Sequence, residues 1–364
     1  MARHRGGQAP PHCPNPECDS HADPGAWRFK KKGFFARQRG PRRVQRYLCQ
    51  HCQRNFSSQT FSPGYWLKQP GRLRALFFRV LACSSYRQIA QEFGVGHTTV
   101  QRQVERLGRH CLLLHEQLRP REAPREPLVL DGFRSFESGH YWPFDLNLLV
   151  GVSHFLYGLN DAELRRSGTL TPAQRRKRTA LERALGRPDP QATRQAVGEL
   201  VGRIVPPGGE VEIHSDLHRA YGPALRQLPA RGIRHRTISS RAARTPQNPL
   251  FPANLADLLL RHTGANHKRE TIAFSKRRQG ALYRAMIWLV WRNYVKSTSE
   301  KRNDEPPAVR LGILDRRLTP DDVLRARLFP WRFALPGWLE RCYFRRIPTR
   351  CLPRGREHRL RYAV

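Results

Sequence analysis

No run in this chain approaches the roughly 20 consecutive apolar residues that a bilayer-spanning helix requires, so a helical membrane protein is not expected. The first twenty residues, MARHRGGQAPPHCPNPECDS, begin with charge. They hold no apolar h-region ahead of the Pro- and Cys-bearing segment, so no secretory signal is expected either. Acidic residues are scarce, with 29 Asp and Glu against 66 Lys and Arg and a formal net charge of +37. Such an excess makes the compact state repel itself unless a polyanion offsets it, and nucleic acid is the partner whose charge density matches. A membrane surface fits less well, because the arginines are spread over the whole length instead of lying in one amphipathic helix or juxtamembrane cluster. The expectation is a soluble, cytoplasmic chain. In a reducing compartment its eight cysteines read as thiols or metal ligands rather than disulfides. With 364 residues the chain can bury a sizeable core and divide into two or three domains.

Four of the cysteines have metal-ligand spacing. CPNPEC sets Cys13 and Cys18 at the ends of a tight Pro-bearing turn, and CQHC sets Cys49 and Cys52 on a second. Two thiolate turns separated by about 30 residues are the pattern of a zinc ribbon, each turn giving two ligands to a tetrahedral Zn2+. The first pair has one residue more than the commonest CxxC, and His12, His21 and His51 lie close enough to substitute as ligands. Between the turns, RFKKKGFFARQRGPRRVQRYLC interleaves basic and aromatic residues, a stretch that projects charge toward phosphates or simply forms a solvated loop. Either way the ion holds residues 1–62 together, since so few apolar residues could not. Cys83 and Cys111 lack paired spacing and read as small buried hydrophobes, and Cys342 and Cys351 show no close metal spacing.

Residues 72–120 show helical periodicity: Leu73, Leu76, Phe77, Val80 and Leu81, then Ile89, Ala90 and Phe93, then Val100, Val104 and Leu107. Ser84 or Ser85 can cap the second helix and Gly94 turns the chain into the third, from His97 to Leu107. Helix, glycine-containing turn, helix is a DNA-reading unit, although three-helix units also serve as plain packing modules. In the DNA-reading case His97, Thr98, Gln101, Arg102 and Arg106 face outward to meet base edges and phosphates.

Further on, apolar runs end near carboxylates. Pro127 to Leu130 leads to Asp131; Leu146 to Val152 and Phe155 to Leu159 read as strands joined by a tight turn; Val211 to Ile213 closes near Asp216 and leads into a helix. Acids just past buried strands occupy the position where an α/β sheet places its active site. For either aspartate alone, a helix cap or turn is the plainer explanation. Two that converge in a polyanion-binding groove would repel each other and the substrate unless divalent cations sit between them, and Mg2+ is the hard ion that carboxylates and phosphates share. A pair of such ions about 3.5 to 4 Å apart serves in-line phosphoryl displacement. A third acid is expected, and two are available. Asp257 lies in the helical pattern NLADLLLR, where an i, i+4 pair with Arg261 is the competing explanation. Glu270 lies in HKRETIAFSKR, where an acid would favour the following helix dipole.

LVLDGFRSFE, VEIHSDLHRAY and RETIAFSKRRQGALYRAMIWLVWRNYVK, behind a four-Cys ribbon and a helix-turn-helix, resemble insertion-sequence transposases of the DDE type, and the likeness covers most of the chain. The resemblance implies a multidomain protein. Its parts are a zinc ribbon at 1–62, an all-α helix-turn-helix at 72–120, an α/β RNase H-like catalytic core at 124–300, and a basic Arg/Pro-rich tail at 301–364. It further implies Asp131 and Asp216 as metal-binding aspartates, Mg2+ or Mn2+ as catalytic ions, and terminal inverted repeats and target DNA as partners. At least two subunits on the DNA and a nucleoid-associated location in a bacterial or archaeal type of cell complete the expectation. Read back from TIAFSK, Asn254 falls where many members carry the third acid, and Asp257, one helical turn on, can replace it. A DNA-binding regulator that kept the architecture and lost the chemistry is the alternative. The polar stretch at about 160–205 reads as two helices separated by GRPDP, a helical insertion between strands that forms a basic arm over DNA, a dimer contact or a solvated helix pair. Trp288 and Trp291 read as core, with stacking on an unpaired base as the other option, and the tail as irregular structure along the core or DNA.

Overall fold

The computed structural model of the chain describes residues 9–38, 43–229, 231–239, 241–268, 271–299, 301 and 304–359. Among them are two sheets and twelve helices in a mixed α/β arrangement. No helix of the described residues is long and apolar enough to cross a membrane.

The cysteine module begins with a one-turn helix, α1 (Asp19–Ala22), and continues as an antiparallel sheet of β1 (Phe29–Ala36), β2 (Arg43–Cys49) and β3 (Asn55–Ser57). β1 is exposed along nearly its whole length, whereas β2 buries Val44, Tyr47 and Cys49. Its small core consists of Tyr47, Phe56, Phe61 and the cysteines, completed from far along the chain by Phe329.

Three helices follow, α2 (Arg72–Leu81), α3 (Tyr86–Phe93) and α4 (His97–Leu118). Ser85 opens α3 with a reciprocal cap, its hydroxyl accepting from the Gln88 N–H while the Gln88 side chain accepts from the Ser85 N–H. Gly94, in the left-handed region at φ 60°, closes it. α4 is twice as long as the periodicity to Leu107 suggests. Its second half, from Gly108 to Glu116, is buried against α9 (Arg278–Val290). Gly108 is required there, because a Cβ would lie 2.4 Å from that of Tyr283. The helix-turn-helix therefore shares one hydrophobic core with the α/β part instead of forming a separate lobe.

The second sheet has five strands in the order β6-β5-β4-β7-β8: β4 (Leu128–Phe136), β5 (Pro143–Gly151), β6 (Leu156–Glu163), β7 (Glu210–Ser215) and β8 (Gly232–Thr237). The first three form an antiparallel meander, and β7 and β8 add parallel on the other side of β4. β5 is buried at every residue, as expected for a central strand covered on both faces. α5 (Pro172–Leu185), α6 (Ala192–Ile204), α7 (Tyr221–Arg226) and α8 (Phe251–Thr263) complete the layers before α9.

Two expectations change. The stretch at about 160–205 is not one inserted unit: β6 runs on to Glu163, and α6 packs Ala196, Val197, Leu200, Val201 and Ile204 against β6 and β5. Only α5, with no buried residue, has the character of a solvated arm. The tail is not irregular throughout. It carries α10 (Pro307–Arg310), α11 (Pro320–Arg325) and α12 (Trp338–Tyr343), and buries Trp338, Leu339, Cys342 and Tyr343 in the main core. It also straps the cysteine module down: the Leu328 N–H donates to the Phe61 carbonyl at 3.2 Å and Arg332 donates to that of His21 at 2.7 Å. Trp288 is core, 2% exposed.

Candidate active site and cysteine cluster

The parallel pairing of β4 with β7 aligns Leu128 with Ile213, Val129 with His214 and Leu130 with Ser215. The next residue on each side is an aspartate, Asp131 and Asp216. Neighbouring strands run about 4.8 Å apart, so this register sets the two acids side by side although much of the chain separates them. Asp131 does not lie past the end of its strand, as the apolar run suggests. It sits inside β4, opposite Leu148 of β5, and is freed only where the pairing with β7 stops. From α8, Asn254 and Asp257, one helical turn apart on one face, enter the same cleft. The cleft encloses about 320 Å³ and is also lined by Arg244 and Arg261. Glu270, the other candidate third acid, lies outside the described residues.

The electrostatics follow from burial of like charges. Burial pushes the Asp131 carboxyl up to about 6, helped by Asp216 and Asp145; the Gly132 N–H, 2.7 Å from its Oδ1, and Arg244 oppose the rise. Burial, with Asp131 and Asp145 nearby, pushes Asp257 up to about 8, against the pull of Arg261 and Arg244. The Oδ1 of Asp257 is buried without a hydrogen-bond partner. Asp216 accepts from the His218 N–H at 2.9 Å. Behind them Asp145 of β5 accepts from Arg134 of β4, its cross-strand neighbour, with Nη2 3.1 Å from Oδ2. Burial within this ring of acids lifts the Tyr221 phenol far above its ordinary value. The cleft thus gathers carboxyls that burial makes harder to ionise and leaves one buried acceptor, the Oδ1 of Asp257, unmet; a hard cation with oxygen ligands would suit such a set.

The cysteine cluster is more convergent. Among the described residues, Cys13, Cys18, Cys49 and Cys52 are the set of three or more candidate metal ligands whose atoms all lie within 4.8 Å of one another. Cys13 and Cys52 sulfurs are 3.6 Å apart, and those of Cys18 and Cys49 4.0 Å. A tetrahedral zinc with bonds of about 2.3 Å separates its sulfurs by about 3.8 Å, so the four could bind that ion. Burial opposes ionisation of Cys49, yet the Cys52 N–H and the Trp27 indole, 3.3 Å from its sulfur, bring the thiol down to about 6. The histidines are elsewhere. His12 and His21 stack edge-on in the small aromatic core with Phe61 and Phe329, and His51 is exposed beside Asp19.

No family model matches the chain, and no curated protein matches it. Among solved structures it is similar to a chain in the cryo-EM structure of the simian T-cell lymphotropic virus intasome in complex with PP2A regulatory subunit B56 gamma. The identity is 11% over 64% of this chain and 70% of that one, with a TM-score of 0.25.

The helix-turn-helix residues divide. His97, Thr98 and Arg102 are exposed on the first turns of α4. Gln101 is half-buried and donates to Glu105 at 2.9 Å. Arg106 is a correction: it turns inward and donates to the carbonyls of Pro63 and Tyr65, so it braces the connector rather than facing outward. Cys83 is also half-exposed, in a left-handed turn at φ 53°, and is not the buried hydrophobe expected. Nothing in the sequence singled out Arg244, which lines the cleft, or the Asp145–Arg134 pair whose charge acts on its acids. Asp145 left a trace, being the one acid in the mainly apolar PFDLNLLVG.

Proposed function

We propose that the protein is a DDE-type transposase that binds the ends of its element and nicks and joins DNA strands. The observation that carries this reading is the β4–β7 register, which brings the strand ends bearing Asp131 and Asp216 together in a cleft that α8 also lines with Asp257. An antiparallel meander extended by two parallel strands is compatible with the RNase H-like core that the sequence resemblance implies. The expectation of a polyanionic partner agrees with the +37 charge.

Asp131, Asp216 and Asp257 would hold Mg2+ or Mn2+, all through oxygen. When bound, such ions supply Lewis-acid activation of the attacking and leaving oxygens of an in-line displacement. The remaining work falls to the chain. Arg244 lines the cleft beside the acids, where a guanidinium meets a phosphodiester's free oxygens. The proton that burial retains on Asp257 near neutral pH leaves when the site is charged. Exposed His97, Thr98 and Arg102 on α4 read the element's ends, so binding energy is spent on positioning. In the first displacement a water oxygen bonds to phosphorus and the 3′-oxygen leaves, taking up a proton. In the second that 3′-hydroxyl gives up its proton and bonds to the phosphorus of a target phosphodiester, and the target's own 3′-oxygen departs, taking up a proton. Paired ends require two subunits.

Asn254 favours a second reading. It lines the same cleft, where its amide binds cations more weakly than a carboxylate, as in a regulator descended from such an enzyme. The test is incubation of the purified chain with DNA flanking its reading frame in Mg2+. Nicked and joined products lost in Asp131→Ala support the enzyme; equal binding by both proteins with no cleavage supports the regulator.

A further inference from the structure

Trp66 is 83% exposed, yet its backbone sits in the left-handed region at φ 58°. A bulky residue rarely adopts that conformation, and holding it there has an energetic cost that its own burial does not offset. The connector around it is rigidly held from both sides. Arg37 donates to the Leu67 carbonyl and, at 2.9 Å, to Gln59, while Arg106 of α4 donates to the Tyr65 carbonyl. An exposed indole on a strained backbone, anchored through the neighbouring carbonyls, thus stands at the edge of a cleft of about 460 Å³ between the connector and the cysteine module.

The walls of that cleft combine aromatic faces with cations. Phe35, 38% exposed, stands on β1; Arg46 and Lys68 are exposed, and no carboxylate lines the cleft. The charge bias extends well beyond it, since the chain has no Asp or Glu between Asp23 and Glu92 but fifteen Lys and Arg. An apolar peptide would leave those cations uncompensated, and an acidic one offers no flat face to the indole. A nucleotide supplies both the anion and the π-face. Inside a paired duplex the base faces are covered by their neighbours, whereas an unpaired base offers its face to a protein ring.

We propose that this cleft binds an unpaired DNA nucleotide, its base stacked on Trp66 and its phosphates held by Arg46 and Lys68. The proposal rests on the DNA-binding part of the function proposed above and assigns it a second contact, distinct from the exposed turn of α4. A site of this kind captures melted or frayed bases near a strand end, where cleavage and joining leave nucleotides without partners.

The experiment is a fluorescence-anisotropy titration of the full chain without added divalent cation. The probes are a paired duplex and the same duplex carrying a short mismatched bubble. The expected result is tighter binding to the bubble by the wild type. Trp66→Ala lowers that preference by roughly 5- to 150-fold, the span of one stacked base, while Trp66→Phe keeps most of it and duplex affinity stays unchanged in both. Lys68→Glu, a surface change that does not touch the strained residue, weakens bubble binding more than duplex binding. Equal wild-type affinity for both probes, or an undiminished preference in Trp66→Ala and Lys68→Glu, overturns the proposal and leaves the DNA-binding reading intact. Failure to bind either probe overturns both.

Discussion

The two candidate metal sites are built in opposite ways. The four thiols come from two short turns, each written in a few adjacent residues, and their sulfurs already stand near the separations a tetrahedral ion imposes. The carboxylates come from β4, β7 and α8, and among the described residues they share a cleft without drawing together as the thiols do. The difference is one of charge. Thiols can gather at contact distance, whereas buried carboxylates repel: burial raises Asp131 and Asp257, and Asp131 and Asp216 accept from the Gly132 and His218 N–H groups. The first arrangement could hold a structural zinc. In the second, one buried acceptor, the Oδ1 of Asp257, has no hydrogen-bond partner.

Removing zinc tests the structural half and has the largest expected effect. Apart from the cysteines, the module's core is a few aromatic residues, one of them borrowed from the tail. Binding of a structural zinc supplies on the order of 10–16 kcal/mol in small fingers, far more than those rings contribute. Cys49→Ser or a strong chelator should release about one zinc per chain and unfold residues 9–62, seen as new proteolysis and lost amide protection there. Protection in β4 to β6 should persist, and a melt that takes the whole molecule down together would show that the tail's strap couples the two more tightly than this. Asp216→Asn is the counterpart in the cleft. It should leave the fold and DNA affinity alone and reduce nicking by more than the roughly 10- to 100-fold that loss of a supporting partner costs a metal site.

The contrast also explains what could be read in advance. The CPNPEC and CQHC turns, the Ser85 cap and the Gly94 turn are local chemistry, so their residues carry the signal themselves. Asp131 and Asp216 were legible as acids beside apolar runs; their adjacency was not, since strand order and register emerge only from the pairing of β4 with β7. The helix at α6 was legible but its burial was not: Arg194, Gln195, Glu199 and Arg203 give it a polar look, and the apolar stripe acquires meaning only against β6. Arg106 had helical spacing consistent with an outward face, but the carbonyls that claim it belong to a connector about 40 residues upstream. Phe329 and Trp338 lie in a tail whose Arg and Pro content suggested no core, and their partners are distant in sequence.

A smaller effect, on stability, follows from the raised carboxyls. Asp131 at about 6 and Asp257 at about 8 both exceed the ordinary value of 3.8, so between about pH 4 and 8 the folded state binds more protons than the unfolded one. Stability contributed by these groups therefore falls as pH rises through that window. Metal-free protein should lose melting temperature from pH 5 to 8 more steeply than Asp257→Asn does. Millimolar Mg2+ or Mn2+ should flatten the wild-type slope and leave that of the variant largely unchanged. Equal slopes for the two proteins would mean that Asp257 ionises freely in solution.

The smallest effect and the finest discrimination concern the third ligand. Asn254 and Asp257 line one cleft from successive turns of α8, so a carboxylate at either position can in principle reach the same point. If Asp257 supplies the charge, Asp257→Asn should weaken activity in Mg2+, and Asn254→Glu added to that variant should recover part of it. Asn254→Glu alone should change activity only a few-fold, because a fourth acid beside Asp131 raises repulsion as well as ligand supply. The comparison is best read at several Mg2+ concentrations, where a ligand change shifts the concentration needed for half-maximal nicking. A double variant as inactive as Asp257→Asn, with Asn254→Glu far more active than wild type, would instead mean that the amide at 254 has replaced a working acid and that Asp257 is a bystander held neutral by its surroundings.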